Sequence, residues 1–498
     1  MKSSKFFIFL FPGLLGLLLI QACTKLEVKE TDSILVTNTG GTPTGGDPAD
    51  LLAASYTGLG EFTNQDYTYS LYEHVSDEMI PPTRGVDWGD NGVWRTLHAH
   101  TWDATHTYVT GSWNRLNERV FKCNQGLAAS PSPEQAAQMK FLRAFYMYHI
   151  MDLFGQVPFR NVDEGVDVNP RVYTRSEAFD FIEKDLLEAL PNLPTIGPVG
   201  NNTVASKAAA NTLLARLYLN KAVYKASDPQ GPYSFDNADM AKVIQYCDAV
   251  TADGYALNAD YFGIFKAGEA SEVILNSPEG TPQNRVYMTL HYDQNPSGWN
   301  GFATLADFYA KFQDGDQRKG KPGAQDGSTY SGVGYGFLVG QQYSDNGAQV
   351  INSRTGQPLA FTPDCPLSGA ATDKGIRVMK YHAGEFGKYI LMRYGEVVTM
   401  KAEAQLRSGD AAGALATVNS LRAVRGAAPL ASLDEAAMLD ERGRELYWEG
   451  YRRTDQVRFG TFADTWSDKT VTDKYRVLYP IPQQALDSNP NLKQNSGY

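Results

Sequence analysis

Apolar residues recur about every three to four positions along most of the chain, which is the spacing of amphipathic helices. Several of these helices begin at a capping box, in which a serine or threonine is followed three positions later by Glu or Gln. The predicted boxes are Ser132 with Gln135, Thr174 with Glu177, and Ser432 with Glu435. The helix that begins at Ser132 continues to about Leu153. The helix that begins at Thr174 ends before Pro191 and Pro194, since proline cannot continue a helix. The pattern therefore predicts an all-α fold class.

The clearest helical pair is near the C-terminus. Residues 389–407 and 411–424 read as two helices, with Ser408, Gly409 and Asp410 as a tight turn between them. Alanines on both helices would let the backbones approach closely, as in the helical hairpins of tetratricopeptide repeats. Two further hairpins are predicted, 113–129 with 134–154 and 177–190 with 204–225. Such hairpins would stack around one continuous core.

The helical period is interrupted between about residues 256 and 387, where Gly, Pro, Asn and aromatic residues are dense. Segments 295–301 and 331–336 cannot form amphipathic helices, and only a short helix at 304–312 is expected within this stretch. A loop-rich insertion of this length in a helical scaffold is more often functional than idle.

The N-terminus has the pattern of a bacterial lipoprotein signal. Lys2 and Lys5 precede a nearly uninterrupted apolar run over residues 6–20, and the small residue Ala22 lies directly before Cys23. Cleavage before Cys23 would expose it for acylation. The alternatives are an ordinary secretory signal and a short membrane helix, but the apolar run is short for a bilayer span and the cysteine is well placed.

The remaining composition indicates a globular body behind a flexible tether. Residues 23–50 are polar and include the run GGTPTGG at 40–46, so we expect a signal peptide at 1–22, a lipidated linker at 23–50 and a body at 51–498. The chain is 42% hydrophobic and 20% charged, as in globular proteins. Its formal net charge of −11 makes nucleic acid and anionic lipid headgroups poor partners.

Cysteine usage does not suggest a disulfide scaffold. Cys123 and Cys247 fall on apolar helical faces, and Cys365 lies in a predicted loop. If Cys23 carries lipid, at most one disulfide can form among these three, and the sequence does not select the pair.

Metal sites are also not favoured. His98, His100 and His106 form the only histidine cluster of the sequence and could bind a metal, but ordinary surface histidines are the preferred interpretation. Asp314 and Asp316 flank Gly315 without the remaining ligands of a calcium loop, which predicts a turn.

The C-terminal region resembles the signature of SusD-like (RagB/SusD) outer-membrane lipoproteins. The resemblance covers ERGRELYWEGYRRTDQVRFG at 441–460 and the ending formed by YPIP at 479–482 with residues 489–498. Further matches lie within 141–158 and 206–219, so the resemblance spans essentially the whole mature chain. Glu441, Glu445 and Glu449 recur every fourth residue among arginines, which predicts structural ion pairs along a helix face.

This resemblance implies a SusD-like fold with tetratricopeptide-type hairpins, a loop-rich insertion at about 256–387 and a C-terminal signature region at 388–498. It also implies a lipid-anchored nutrient-binding protein, without a cofactor, on the outer face of a Bacteroidota-type outer membrane. Such proteins capture glycans or other oligomers and pass them to a SusC-like TonB-dependent barrel. An enzyme is disfavoured, because the sequence has no nucleophile elbow, phosphate loop, zinc-protease helix or arguable pair of catalytic carboxylates.

Two aromatic segments punctuated by glycine or proline form the predicted ligand site. Sugar rings present apolar C–H faces and hydroxyl rims, so their sites combine flat aromatic rings with amide, carboxylate or guanidinium groups. The predicted ligand-binding residues are Arg84, Asp87, Trp88, Asn91 and Trp94 in the first segment and Tyr292, Trp299 and Asn300 in the second. In SusD-like proteins the ligand surface draws on the loop after the first helix and on the middle insertion, which these segments match in position. Trp102, Trp113 and Trp448 are instead predicted to pack in the core.

The competing hypothesis is a surface scaffold whose helical repeats bind proteins or peptides and whose loops hold no small molecule. Under the favoured hypothesis the loop tryptophans contact the ligand, while the helical hairpins dock on the barrel. The ligand itself stays open among starch, other plant or host glycans and peptides.

Overall fold

Long helices and short antiparallel ladders share the chain in the computed structural model, which describes residues 37–38, 43–44, 46–165, 167–269 and 271–498. The helices are α1 Pro48–Thr57, α2 Tyr67–Glu73, α3 Val93–His98, α4 Thr107–Ala128, α5 Pro133–Phe154, α6 Arg175–Ala189, α7 Lys207–Leu219, α8 Lys221–Tyr224, α9 Asn237–Ala252, α10 Gln283–Tyr287, α11 Ala306–Tyr309, α12 Tyr394–Arg407, α13 Ala411–Val424, α14 Glu435–Leu446, α15 Arg452–Arg458 and α16 Gln483–Ser488. The strands are β1 Thr37–Asn38, β2 Pro43–Thr44, β3 Gln156–Phe159, β4 Arg171–Thr174, β5 Val273–Asn276, β6 Gly320–Lys321, β7 Tyr335–Leu338, β8 Gly340–Gln341, β9 Ile351–Asn352, β10 Gln357–Pro358, β11 Ala360–Phe361, β12 Arg377–Met379 and β13 Ile390–Arg393. The predicted signal peptide, Cys23 and most of the linker lie outside the described residues.

Two of the three predicted capping boxes are present. Ser132 and Gln135 exchange side-chain and backbone hydrogen bonds at the start of α5, and Thr174 and Glu177 do the same at α6. The third prediction is wrong, because α14 is capped by Asp434, whose side chain accepts from the backbone N–H of Ala437 at 2.8 Å. Ser432 lies two residues before that cap, so it cannot reach the first-turn amides.

The long helices form two series, and within each series every helix packs on the next. The helix α4 packs on α5 and α5 on α6, whereas α7 packs on α9, α9 on α12 and α12 on α13. This confirms the hairpins at 113–154 and 394–424. The predicted pairing of 177–190 with 204–225 is also present, since Phe179 packs on Tyr218 and Lys225 bonds Asp180, but α6 packs chiefly on α5 and α7 chiefly on α9. One large apolar cluster runs through the body, and a small second cluster lies between α12, α13 and α14. The tetratricopeptide assignment stays a prediction.

The helix predicted at 389–407 begins only at Tyr394. The preceding residues form β13, which pairs antiparallel with β5. All four residues of β13 and of β5 are buried, so the continuous apolar run belongs to a strand covered on both faces. Such a run has no period that would distinguish a buried strand from a buried helix, which explains the error.

The insertion between 256 and 387 is loop-rich, as expected, and its short ladders lie against the helical body. Strands β12, β7 and β6 form a three-stranded sheet in that order. The helix predicted at 304–312 is shorter than expected, since α11 has only four residues. Contacts that tie the insertion to the N-terminal part of the body include the pairing of Ile80 with Ala303 and the hydrogen bond from the Thr304 hydroxyl to the carbonyl oxygen of Glu78 at 2.7 Å.

A buried charge network joins the insertion to the C-terminal helices. Glu445 accepts hydrogen bonds from Arg393 at 2.7 Å, from Arg425 at 2.8 Å and from Arg318 at 3.2 Å, and all four side chains are fully buried. Burial alone would raise the pKa of Glu445, but the neighbouring guanidiniums outweigh it and hold the pKa well below its usual range.

The charged residues of the signature are therefore structural, but only part of the predicted helix face exists: Glu441 and Glu445 lie one turn apart on α14, and Glu441 pairs with Arg444 there. The helix α14 ends at Leu446, so Glu449 lies beyond it, where its carboxylate binds Arg393 and Lys380. Glu441 binds Arg318, Arg422 and Arg444 from three different segments.

Candidate functional site

The two predicted segments come together as one exposed aromatic surface, here called the aromatic platform, formed by Trp88, Trp299 and Tyr287. The ring centroids of Trp88 and Trp299 are 6.5 Å apart with planes inclined by 42°, and those of Trp299 and Tyr287 are 5.9 Å apart at 32°. Trp299 is 45% exposed, whereas Trp88 and Tyr287 are half-buried. Inclined rings of this kind form a shallow apolar arc rather than a closed pocket.

The ring of Trp88 is held from behind and from the side. It packs on Phe302 at 4.7 Å between centroids, and its indole N–H donates to the carbonyl oxygen of Trp299 at 3.0 Å. A Cβ added at Gly301 would lie 2.4 Å from this ring, so only glycine permits the close packing. The hydrogen bond and the packing link the two segments directly.

Four residues beside the platform have left-handed backbone conformations. The φ angles are +61° at Trp88, +35° at Asp90, +53° at Asn91 and +50° at Asn300. Asp and Asn tolerate this region, but a tryptophan there is strained. Strained backbone of this kind persists only where surrounding contacts enforce it, and it is concentrated at functional sites.

Two buried arginines bond the loops next to the platform. Arg84 donates to the carbonyl oxygens of Gly301 at 3.3 Å and of Lys374 at 2.8 Å. Arg377 donates to the side-chain oxygen of Asn300 at 2.8 Å and to the carbonyl oxygen of Thr372 at 2.9 Å. Burial lowers the pKa of both guanidiniums from their usual value. These bonds fix the backbone of the loop on which Trp299 is carried.

Polar side chains lie at the rim. Asp87 and Asn91 are exposed, and Asp87 lies 3.7 Å from the guanidinium of Arg354. Arg354 also lies over the ring of Tyr292, 4.8 Å from its centroid. Carboxylate, amide and guanidinium groups at this edge can bond the hydroxyl rim of a sugar whose face rests on the rings.

Three of the predicted contact residues are buried rather than exposed. Trp94 is 4% exposed, Arg84 and Asn300 are each 2% exposed, and all three make internal contacts. The indole N–H of Trp94 donates to the carboxylate of Asp90 at 2.8 Å, and its ring packs on Phe302. These three side chains contact Phe302 and the 371–377 loop rather than solvent.

The sequence reasoning missed Tyr287, Arg354 and Arg377. Tyr287 lies just before the predicted second segment and could have been found by extending that segment towards the N-terminus. Nothing local distinguishes Arg354 or Arg377, which reach the platform only through the folding of the insertion.

The histidine cluster is not on the surface, contrary to the prediction. His98, His100 and His106 are at most 9% exposed, and their ring nitrogens contact backbone carbonyl oxygens. Burial lowers the pKa of each. Among the described residues no group of three His, Cys, Asp or Glu side chains could hold a metal ion.

The tryptophans predicted to pack in the core and the predicted acidic turn are confirmed, and the cysteines and helices add two further findings. Trp102, Trp113 and Trp448 are buried, and residues 314–316 form a turn. Cys123, Cys247 and Cys365 are free thiols. In the part of the chain that the structure describes, no helix is both long enough and apolar enough to cross a bilayer.

Comparison with known families finds two matches, which leave residues 220–270 between them. A family model described as "SusD family" matches residues 271–498, and one described as "Starch-binding associating with outer membrane" matches residues 32–219. The starch-binding protein SusD of Bacteroides thetaiotaomicron is 25% identical, with 86% of this chain and 85% of that protein covered. A SusD-like protein of Formosa agariphila, P25, is 23% identical, with 86% and 83% covered.

Solved structures share the fold. A SusD superfamily protein of Parabacteroides distasonis superposes with a TM-score of 0.69 at 19% identity, covering 91% of this chain and 98% of its own. Surface glycan-binding protein A of Bacteroides thetaiotaomicron, in complex with laminarihexaose, superposes with a TM-score of 0.67 at 18% identity, covering 90% and 98%.

Proposed function

Because the chain belongs to the SusD family, we propose that it is a cell-surface lipoprotein that binds a glycan on the aromatic platform and delivers it to a SusC-like TonB-dependent barrel. The names of its relatives support glycan binding, since one is described as starch-binding and another was solved with laminarihexaose. We propose binding without chemical alteration of the glycan.

The observation that carries this proposal is the inclined pair of rings from exposed Trp299 and half-buried Trp88. Their faces would stack on apolar sugar faces, while Asp87, Asn91 and Arg354 would bond hydroxyl groups at the rim. In this proposal Arg84, Trp94 and Asn300 are positioning residues. Tyr292 contributes by holding Arg354, since its ring lies beneath that guanidinium.

The anchor and partner are further parts of the proposal. Cys23 would carry the lipid, and residues 23–50 would tether the body to the outer membrane, facing the cell exterior. The helical hairpins would dock on the barrel, so that the platform could release its ligand inward.

Glycan-array binding with the full-length lipoprotein in detergent tests the site. Trp88→Ala and Trp299→Ala should each weaken binding at least about tenfold, equivalent to about 1.4 kcal/mol. Leu187→Ala is the matched control, because Leu187 is 44% exposed on α6, away from the platform. If both tryptophan variants bind every glycan as the parent does, the site is wrong.

The partner is tested separately by affinity purification from outer membranes. We expect a TonB-dependent barrel to co-purify with the full chain. Glycan binding without a co-purifying barrel would overturn the delivery step alone, whereas a barrel without glycan binding would favour the scaffold hypothesis.

A further inference from the structure

A second concave surface, here called the insertion groove, lies in the loop-rich insertion. Its volume is about 320 Å³, and its walls include Tyr309, Lys319, Lys321, Gln325, Gln341 and Tyr343. Tyr343 is 36% exposed at the edge of the groove. Its ring can therefore contact a molecule bound in the groove, and aromatic side chains commonly line ligand sites.

The lining chemistry suits a hydroxylated ligand. Tyr309 and Tyr343 supply rings with hydroxyl groups, and Gln325 and Gln341 supply half-buried amides that can donate and accept hydrogen bonds. Gln325 is also held at a φ of +55°, the same kind of left-handed strain that marks Trp88 and Asn300 at the platform.

The positive charges of the insertion groove are compensated. Lys319 lies 2.7 Å from Asp314, and Lys321 lies 3.5 Å from Asp260. The lysine Nζ atoms also lie over tyrosine rings, Lys319 at 5.1 Å from the centroid of Tyr309 and Lys321 at 4.8 Å from that of Tyr335. A groove whose cations already have partners offers little attraction to an anion, so it favours an uncharged ligand.

The wall of the insertion groove is hydrogen-bonded to the segment that leads to Trp299 of the aromatic platform. Gln342, which lines the groove, accepts a hydrogen bond from Gln294 at 3.3 Å, and Asp345 accepts one from Asn295 at 2.6 Å. Gln294 and Asn295 belong to the segment that ends in Trp299. The segment that carries Trp299 therefore also borders the groove, which makes the two surfaces neighbours along this segment.

We propose that the insertion groove binds further uncharged sugar units of the same chain that the aromatic platform holds, with Tyr343 as its principal stacking ring. This inference rests on the proposed function, because the platform supplies the first contact. It names the preferred ligand as an extended neutral oligosaccharide rather than a short or acidic one.

The test is a length series measured by calorimetry with the full-length lipoprotein. The probes are maltooligosaccharides, laminarioligosaccharides and oligomers of the glycan bound best on the array, each from disaccharide to octasaccharide. For the parent we expect affinity to rise about tenfold or more once the oligomer is long enough to reach the groove. Tyr343→Ala should lose this gain for long oligomers and bind the shortest ones as the parent does.

Two controls separate the inference from the function on which it rests. Trp299→Ala should weaken binding at every length, and Leu187→Ala should change nothing. If Tyr343→Ala binds long oligomers as the parent does while Trp299→Ala is weak, the groove is excluded and the proposed function stands.

Two further outcomes would also decide the matter. A parent that binds no glycan of any length would overturn both proposals. A gain with length that disappears at high ionic strength would overturn the assignment to uncharged sugars, since neutral units are not screened by salt.

Discussion

The charge network around Glu445 and the aromatic platform around Trp88 use buried arginine in opposite ways. Arg393, Arg425 and Arg318 pair with carboxylates and join segments that are far apart in the chain. Arg84 and Arg377 instead donate to carbonyl oxygens and one amide oxygen of the loops next to the platform. The first arrangement holds the fold together, whereas the second holds a strained loop so that its rings can stay exposed.

The largest effect on stability is expected in the charge network. Glu445→Gln removes one charge from a fully buried cluster and leaves three guanidiniums undercompensated, so the free energy of unfolding should fall by about 3–5 kcal/mol. Denaturant unfolding measures this. The control is Lys184→Gln, which removes a solvent-exposed pair with Glu188 and should change stability by about 0.5 kcal/mol or less. Equal effects would mean that the network contributes no more than surface charges.

Acid should weaken the same network. Burial would raise the pKa of Glu441, but Arg318, Arg444 and Arg422 outweigh it and lower the pKa from 4.5 to about 2. Below pH about 4.5 the Glu441 carboxylate is therefore protonated in the unfolded chain but still ionised in the folded chain. The free energy of unfolding falls as the pH is lowered from about 4.5 to about 2.

The measurement is urea unfolding across this pH range for the parent and for Glu441→Gln. The variant should be less stable above pH about 4.5 but should lose less stability on acidification. Parallel curves would contradict the assignment. Glu78, whose pKa burial raises, contributes the opposite slope in both proteins and so cancels in the difference.

At the platform an intermediate effect is expected. Arg377→Met leaves buried oxygens at Asn300 and Thr372 without their donor, which should cost about 1–3 kcal/mol of stability and also weaken glycan binding. Arg377→Lys keeps a cation with fewer donors and should fall between the parent and Arg377→Met in affinity. Calorimetry together with thermal unfolding separates the two effects. A loss of stability with unchanged affinity would show that Arg377 does not position the platform.

The smallest effect on stability is expected at the exposed ring. Trp299→Ala should change the free energy of unfolding by less than about 1 kcal/mol while it weakens glycan binding, since the ring is 45% exposed. A thermal unfolding scan beside the binding assay checks this. A large drop in melting temperature would assign Trp299 to packing instead.

Prediction from sequence succeeded where interactions are local. The boxes at Ser132 and Thr174 involve atoms within one helical turn, and the turn at 408–410 connects α12 to α13 as expected. Prediction failed where the local sequence is compatible with two different structures. The apolar run at 390–392 suits a buried strand as well as a helix, and either Ser432 or Asp434 could have capped the helix α14.

The candidate site divides in the same way. Composition identified the two aromatic segments, and the structure brings Trp88 and Trp299 into contact. Burial of Trp94, Arg84 and Asn300 could not be read from the segments themselves, because it depends on Phe302 and on the 371–377 loop that covers them.

By itself the sequence determined the helical class, two helix starts, the loop-rich insertion and the residue types available for binding, since these follow from periodicity and contacts between near neighbours. Only the tertiary structure decided which rings are exposed, which loop oxygens Arg84 and Arg377 bond, and which arginines pair with Glu445. The physical reason is that such contacts join residues far apart in the chain. Their geometry is therefore set by packing of the whole body rather than by any local pattern.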